Sequence, residues 1–177
     1  MLGFISKLFG GSKSEKDVKK IEPYIGKINH HFTSYQSISN DELRGKTQEF
    51  RRRIKEHLSA IDAEIAARNE AAEALPFNDQ TGKDAIYQEV DKLKKDRDKK
   101  IEEALDEILP EAFAVVKETA RRFKENAEIT ATATELDKDL SVKKDYVTIN
   151  GNQSVFKNTW TAAGGQVTWN MVHYDVQ

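Results

Sequence analysis

The sequence predicts a mainly α fold with a small antiparallel β excursion toward its end. Long charged stretches carry apolar residues three, four or seven positions apart, which is the spacing of one buried helix face. Only 3 prolines occur in 177 residues, so long solvated helices are favoured over a compact β-rich core. Late in the chain, Asn150-Gly151 separates two runs rich in β-branched and aromatic residues, the pattern of a hairpin.

Residues 1–11 form an amphipathic N-terminal segment. Leu2, Phe4, Ile5, Leu8 and Phe9 are its apolar residues, and Leu2, Ile5, Leu8 and Phe9 have helical spacing. The apolar run is too short for a secretory signal, and a membrane span needs roughly 20 apolar residues. Two readings stand: a short helix lying on a bilayer surface or a partner, or a start packed against its own domain. Full burial of one large apolar side chain is worth only ~1.5–3 kcal/mol, so attachment through so few would be weak and reversible.

Gly10-Gly11-Ser12 reads as a hinge into the N-terminal helices, residues 12–55. Ser14 with Asp17 marks a helix start that continues through Val18, Ile21, Ile25 and Ile28, made imperfect by Pro23 and Gly26. Ser39 and Glu42 have the spacing of a capping box and predict a second, long helix. Leu43, Phe50, Ile54, Leu58, Ile61 and Ile65 give that helix one apolar stripe. Pro76-Phe77-Asn78-Asp79 ends it, and Thr81 with Asp84 resembles the start of the next. Ile86, Val90, Leu93, Ile101, Leu105 and Ile108 line this helix, so residues 56–108 read as a charged antiparallel hairpin with Lys94–Lys100 on its solvated face.

Pro110 suits the first turn of a further helix, residues 109–123, in which Phe113, Val116, Ala120 and Phe123 share an apolar face expected to lie in a core. Residues 124–168 change character. Thr130–Thr134 has low helix propensity, and Asp145–Ile149 runs into Asn150-Gly151, expected as the two central residues of a type I′ turn, before Gln153–Phe156. Trp160, Gly164-Gly165 and Val167–Trp169 suggest a second pairing or a return loop. Residues 169–177 then approach Asp175, a good helix N-cap followed only by Val176 and Gln177. A helix nucleus needs several ordered residues, so the sequence is expected to continue as part of something longer.

Composition excludes several classes of function. A net charge of -2 gives no support to a dedicated nucleic-acid surface, and 0 cysteines exclude disulfides and thiolate chemistry. His30, His31, His57 and His173 fit no metal-binding spacing, and the acidic residues sit on charged helices where they are expected to be solvated. A Gly-x-Ser-x-Gly elbow and a Gly-x-x-x-x-Gly-Lys-Ser/Thr phosphate loop are both missing. No catalytic residue and no metal ligand is assigned.

Three blocks carry a resemblance. Ser39-Asn-Asp-Glu-Leu-Arg-Gly-Lys-Thr-Gln-Glu-Phe-Arg51, Leu109-Pro-Glu-Ala-Phe-Ala-Val-Val-Lys-Glu-Thr-Ala-Arg-Arg122 and Tyr174-Asp-Val-Gln177 resemble, in that order, the amino-terminal part of the SecA family, the motor ATPases of bacterial protein translocation. The start Met1-Leu-Gly-Phe-Ile-Ser-Lys-Leu-Phe9 is similar to that family's amphipathic N-terminus. The middle block is highly specific, and together the blocks cover well under half of the chain. The resemblance implies the N-terminal portion of an incomplete α/β RecA-like nucleotide-binding domain, with 109–123 as its core helix and 169–177 as the start of its adenine-binding motif.

The resemblance also implies a motor that uses ATP with Mg2+ in the full-length protein to push unfolded preprotein through the SecYEG channel. Such a protein is cytoplasmic and peripheral on the inner membrane, where its partners are SecYEG, the preprotein and an anionic membrane surface, with no nucleic acid; a full-length homodimer fits the same family. Gln177 matches the family's adenine-reading glutamine, whose amide offers one donor and one acceptor to adenine N6 and N7. Tyr174 and Met171 either add apolar or stacking contact to the base or pack beneath the new helix. Leu2, Phe4, Ile5, Leu8 and Phe9 are the implied membrane or channel contacts. Residues 56–104 and 124–168 depart from the usual family pattern, so their roles are not carried over. The competing class is a non-enzymatic helical adaptor at a membrane surface.

Overall fold

A computed structural model describes residues 13–175. The chain is mainly α: α1 spans Lys13–Tyr35, α2 Asn40–Ala74 and α3 Gln80–Glu125. After α3 come β1 (Glu128–Thr132), α4 (Glu135–Lys143), β2 (Val147–Asn150), β3 (Gln153–Lys157), β4 (Thr159–Ala162) and β5 (Gly165–Thr168). These elements divide into two compact units, one of residues 46–109 and the other of residues up to Gly45 and from Pro110 onward. The expected membrane-contact residues Leu2, Phe4, Ile5, Leu8 and Phe9 lie outside the described residues, as does Gln177.

The unit of residues 46–109 is an antiparallel helical hairpin. Its ion pairs fix the direction: Arg53 meets Glu107, His57 meets Glu103, Asp62 meets Arg97 and Arg68 meets Glu89, so positions fall on one arm as they rise on the other. Between the arms Phe50, Leu58, Ile61, Ala72, Val90, Ala104 and Ile108 are buried. Leu105, expected on the inner stripe, is exposed, and its neighbour Ala104 takes the inner position because a small side chain lets two helices approach closely. The second arm is capped by Asp79 rather than by Thr81 with Asp84: the Gly82 amide donates to Asp79 Oδ1 at 3.0 Å, and Asp84 instead accepts from the Gln80 side chain. A Cβ on Gly82 would meet Asp79 Oδ2 at 2.6 Å and Leu75 Cδ1 at 2.9 Å, so a larger residue there would have to displace the capping side chain or Leu75.

The other unit is built around the corner between α1 and α2. Helix α1 passes through both Pro23 and Gly26 and includes Ser14, expected ahead of it. At the start of α2 the Ser39 amide donates to Glu42 Oε2 at 2.7 Å and the Glu42 amide donates to Ser39 Oγ at 3.2 Å, a reciprocal capping box as the spacing predicts. Tyr35, Leu43 and Ala114 form the buried cluster beneath the corner, joined by Ile28, Phe32, Ile38 and Val115.

Two expectations for α3 are corrected here. Pro110 does not open a new helix, since α3 is continuous from Gln80 to Glu125. The ring's fixed φ suits a helix, and the bond lost is to the carbonyl of Asp106, an exposed residue that water can reach. The expected core face is buried only in its second half: Phe113 is 47% and Val116 56% exposed, whereas Ala120 is buried and Phe123 half-buried. The buried face is Ala114, Glu118 and Arg122, one turn apart.

Arg122 explains why a charged face is buried. Its guanidinium donates to Glu118 Oε1 at 2.8 Å, to Asn40 Oδ1 at 2.6 Å, and to the Tyr35 and Ile38 carbonyls at 2.9 and 2.8 Å. One planar fork thereby ties the carbonyls of Tyr35, at the end of α1, and of Ile38, in the corner, to α3. Burial alone would raise the Glu118 carboxyl, but hydrogen bonds from Arg121 and Arg122 outweigh it and hold the group below its ordinary pKa.

The β region is larger than a single hairpin. A three-stranded antiparallel sheet has the order β1-β3-β2, and β4 and β5 form a separate antiparallel pair. The β2–β3 register pairs Asn150 with Gln153, so the turn is Gly151-Asn152 and not Asn150-Gly151. Gly151 alone of these has positive φ (62°), the pattern of type II′ rather than type I′. Helix α4 was not foreseen, although Thr134 and Asp137 form a capping box at its start.

Candidate functional site

Residues 169–175, the approach to the expected base-reading glutamine, lie in the unit built on the α1–α2 corner. Trp169 anchors the approach at its beginning. Its indole Nε1–H is shared between the Ala120 carbonyl of α3 at 3.1 Å and the Met171 carbonyl at 2.9 Å, and its amide donates to the Asn158 carbonyl at 2.8 Å. Ala120 is buried and small, so the indole can come against the helix backbone.

Asp175 anchors the other end. Lys117 Nζ, from α3, donates to Asp175 Oδ1 at 2.6 Å and to Asn29 Oδ1 at 3.0 Å. Asn29 Nδ2, from α1, donates to Asp175 Oδ2 at 3.1 Å, which closes a ring of three side chains. The Lys117 ammonium also lies 4.9 Å from the centre of the Phe32 ring. Hydrogen bonds from Lys117 and then Asn29, with the lysine's charge, lower the Asp175 pKa below its ordinary value. The carboxylate expected only as a helix cap is thus engaged by two helices.

Beside this ring is a cavity of about 320 Å³, with an apolar wall of Ile25, Ile28, Ala112, Phe113 and Val116 and a rim that includes Tyr174 and Asp175. Tyr174 is 76% exposed and Met171 40% exposed, and only Tyr174 borders the cavity. The two residues expected as base contacts are therefore accessible but do not line one pocket together. A second cavity of about 490 Å³ runs between α3 and the strands, walled by Phe123, Tyr146, Phe156, Trp160 and Trp169. His173 borders both cavities, and its Nδ1 is buried without a hydrogen-bond partner among the described residues.

Sequence reasoning missed Asn29 and Lys117. Neither stands in a recognisable motif with Asp175, and they meet only because α1 and α3 pack side by side. It also expected every carboxylate to be solvated, whereas Glu118 and Asp137 are buried; both are paired with arginine, and their pKa values fall rather than rise. Among the described residues no group of His, Asp or Glu could hold a metal ion, and no helix is long and apolar enough to cross a membrane.

The profile of the SecA DEAD-like domain matches residues 5–177. Among curated proteins, the protein translocase subunit SecA of Christiangramia forsetii is 45% identical over 176 residues, covering 99% of this chain and 16% of that protein. Those of Flavobacterium psychrophilum and Parabacteroides distasonis are 46% and 41% identical, each covering 98% of this chain and 15% of the relative. Such coverage leaves residues 56–104 and 124–168, expected to depart from the usual family pattern, inside the matched region. No solved structure matches. The chain spans about one sixth of the length of these relatives, it belongs to the SecA DEAD-like domain family, and its helices and small antiparallel sheets are the N-terminal part of a RecA-like fold.

Proposed function

We propose that the chain is the N-terminal part of an ATP-driven motor that pushes unfolded preproteins through the SecYEG channel. The observation that carries this reading is the match to the SecA DEAD-like domain over residues 5–177, with relatives named as translocase subunits at 41–46% identity. The domain plan follows the same reading: an amphipathic segment at 1–11, N-terminal helices at 12–55, an inserted charged hairpin at 56–108, a core helix at 109–123, an inserted β segment at 124–168 and the adenine motif from 169. The complete motor works in the cytoplasm, peripheral to the inner membrane, with Leu2, Phe4, Ile5, Leu8 and Phe9 touching an anionic membrane or the channel. The family pattern also admits a homodimer of the complete protein.

Chemically, the chain contributes recognition and not hydrolysis. The Gln177 amide accepts from adenine N6 and donates to N7, while Tyr174 and Met171 offer apolar surface beside it. Each such hydrogen bond contributes ~0.5–1.5 kcal/mol net, against roughly 8 kcal/mol for micromolar binding. The missing affinity belongs to phosphate and Mg2+ ligands, and the described residues supply no donor set for that ion. Magnesium, when bound in the complete motor, would neutralise phosphate charge. Residues 1–177 alone are expected to show no ATP hydrolysis above background in a phosphate-release assay; robust Mg2+-dependent turnover by the purified chain would overturn the reading.

A further inference from the structure

We propose that the aromatic groove between α3 and the strands, together with the open edge of β5, is a docking site for an extended polypeptide segment that carries a tryptophan or tyrosine. Such docking does not depend on the nucleotide reading above.

Five aromatic side chains converge on this groove of about 490 Å³: Phe123 from α3, Tyr146 just before β2, Phe156 from β3, Trp160 from β4 and Trp169 just after β5. Each is half-buried, so each still has ring surface to offer. The volume falls within the roughly 300–1,000 Å³ of sites that take small organic groups, and rings of this kind pack best against another ring. The wall is also held in place before anything binds. The Trp169 indole N–H is shared between the Ala120 and Met171 carbonyls, and the Asn158 amide at the groove's edge donates to the Phe123 carbonyl at 3.1 Å.

The β4–β5 ribbon supplies the other half of the site. Among the described residues β5 pairs with β4 and with no other strand. The Trp169 amide donates to the Asn158 carbonyl, and the register pairs Trp160 with Val167 and Ala162 with Gly165. Bonded and non-bonded pairs alternate along an antiparallel ladder, so Gln166 and Thr168 turn their N–H and C=O groups away from β4. Every residue of β5 is exposed, and an edge with open donors and acceptors templates a further strand.

Pairing also sets the direction of the side chains. Directly opposed residues share a face, so Val167 lies on the same face of the ribbon as Trp160, which borders the groove. A residue opposite Val167 on an added strand therefore presents its side chain on that face, two strand spacings or about 10 Å from β4. A long aromatic side chain there covers Val167, itself 37% exposed, and reaches toward the groove, which a short one does not. Main-chain pairing accepts any sequence, and the groove selects the ring. A free small molecule uses only the groove, and a helix cannot pair with the edge.

The test measures Kd by fluorescence polarisation, using a protein of the relatives' full length and short labelled peptides of alternating threonine and valine with tryptophan, tyrosine or alanine at the centre. The tryptophan and tyrosine peptides are expected to bind about tenfold more tightly than the alanine peptide, the effect of one partly buried ring. Thr119→Trp, which fills the groove from α3, erases that preference. Should it fail to fold by circular dichroism, Val116→Trp, at an exposed position on the rim, takes its place. Gln166→Pro removes an outward N–H while leaving the pairing with β4, so all the peptides weaken about twofold to tenfold. Absence of binding by every peptide, or a ring preference that survives the groove-filling variant, refutes the site. Peptide binding that Gln166→Pro leaves unchanged, with free indole displacing the tryptophan peptide, assigns the groove to a small ligand and refutes the extended segment.

Discussion

Replacing Asp137 by asparagine should weaken the hold of the β region on the α1–α2 corner at a cost that can be worked out atom by atom. Asp137 is 1% exposed and its two oxygens have different duties. Oδ1 accepts from Arg44 Nη2 at 2.6 Å, while Oδ2 accepts from the Thr134 amide at 2.8 Å and from the Thr134 and Ser154 hydroxyls, each at 2.9 Å. An asparagine has one oxygen. With it in the Oδ2 position the amide hydrogens face a guanidinium, and with the group flipped they face the Thr134 N–H, so a donor meets a donor either way. Breaking a buried pair costs about 3–5 kcal/mol, and the partial exposure of Arg44 brings the expectation to about 2–4 kcal/mol. Burial opposes ionisation of Asp137, yet hydrogen bonds from Arg44, Thr134 and Ser154 hold its pKa far below the usual carboxylate range. A depressed folded-state pKa contributes stability that is complete above the unfolded value and lost as pH falls toward the folded one. The gap between wild type and Asp137→Asn should therefore be constant near neutrality and narrow below about pH 4. Urea titration followed by tryptophan fluorescence is suited to this, because Trp160 and Trp169 both lie in the affected unit. Equal midpoints at pH 7, or a gap that does not narrow in acid, would refute the reasoning.

Two further outcomes are expected. Ala163 has φ 48° in the turn between β4 and β5, a conformation that glycine adopts without a Cβ penalty, so Ala163→Gly should raise stability by about 0.5–1 kcal/mol in the same titration. Arg122→Lys should cost about 2–3 kcal/mol despite keeping the charge, because one ammonium cannot reach Glu118, Asn40 and two carbonyls together; a change below 0.5 kcal/mol, ~0.4 of a pKa unit's worth of energy, would count against the fork.

Much of the helical plan was legible because it is local. The Ser39–Glu42 box and the stripe through Phe50, Leu58 and Ile61 depend on spacing along one helix, and the structure has both. The exposure of Phe113 and Val116 on α3 was not legible, since an apolar face reads as a core until the other side is seen to carry Glu118 and Arg122. Nothing in the spacing of those two charges distinguishes a buried fork from a solvated pair; the difference lies in carbonyls supplied by Tyr35 and Ile38, more than eighty residues away. Helix α4 was legible and missed. The threonines of 130–134 have low helix propensity, and the last of them is the cap. As for the site, family resemblance pointed to Tyr174 and Gln177, whereas the residues that grip the approach come from two other helices.

The same corner also covers one edge of the three-stranded sheet. Strand β1 is an edge of its sheet, yet three of its backbone groups are taken by the first turn of α2: Asn40 donates to the Thr130 carbonyl at 2.9 Å, Arg44 to the Thr132 carbonyl at 3.2 Å, and Asp41 accepts from the Thr132 amide at 2.7 Å. An edge whose donors and acceptors are already engaged cannot template a further strand. These contacts come from Asn40, Asp41 and Arg44, while Arg122 grips Asn40 and the end of α1 from the opposite side. A shift of the corner would loosen the sheet edge and the Arg122 fork together, and because Asn29 lies on α1 it would also disturb the hold on Asp175. Three attachments thus depend on one short turn, and for that reason a substitution at the corner should be felt at Asp175, whereas one on the β4–β5 pair should not.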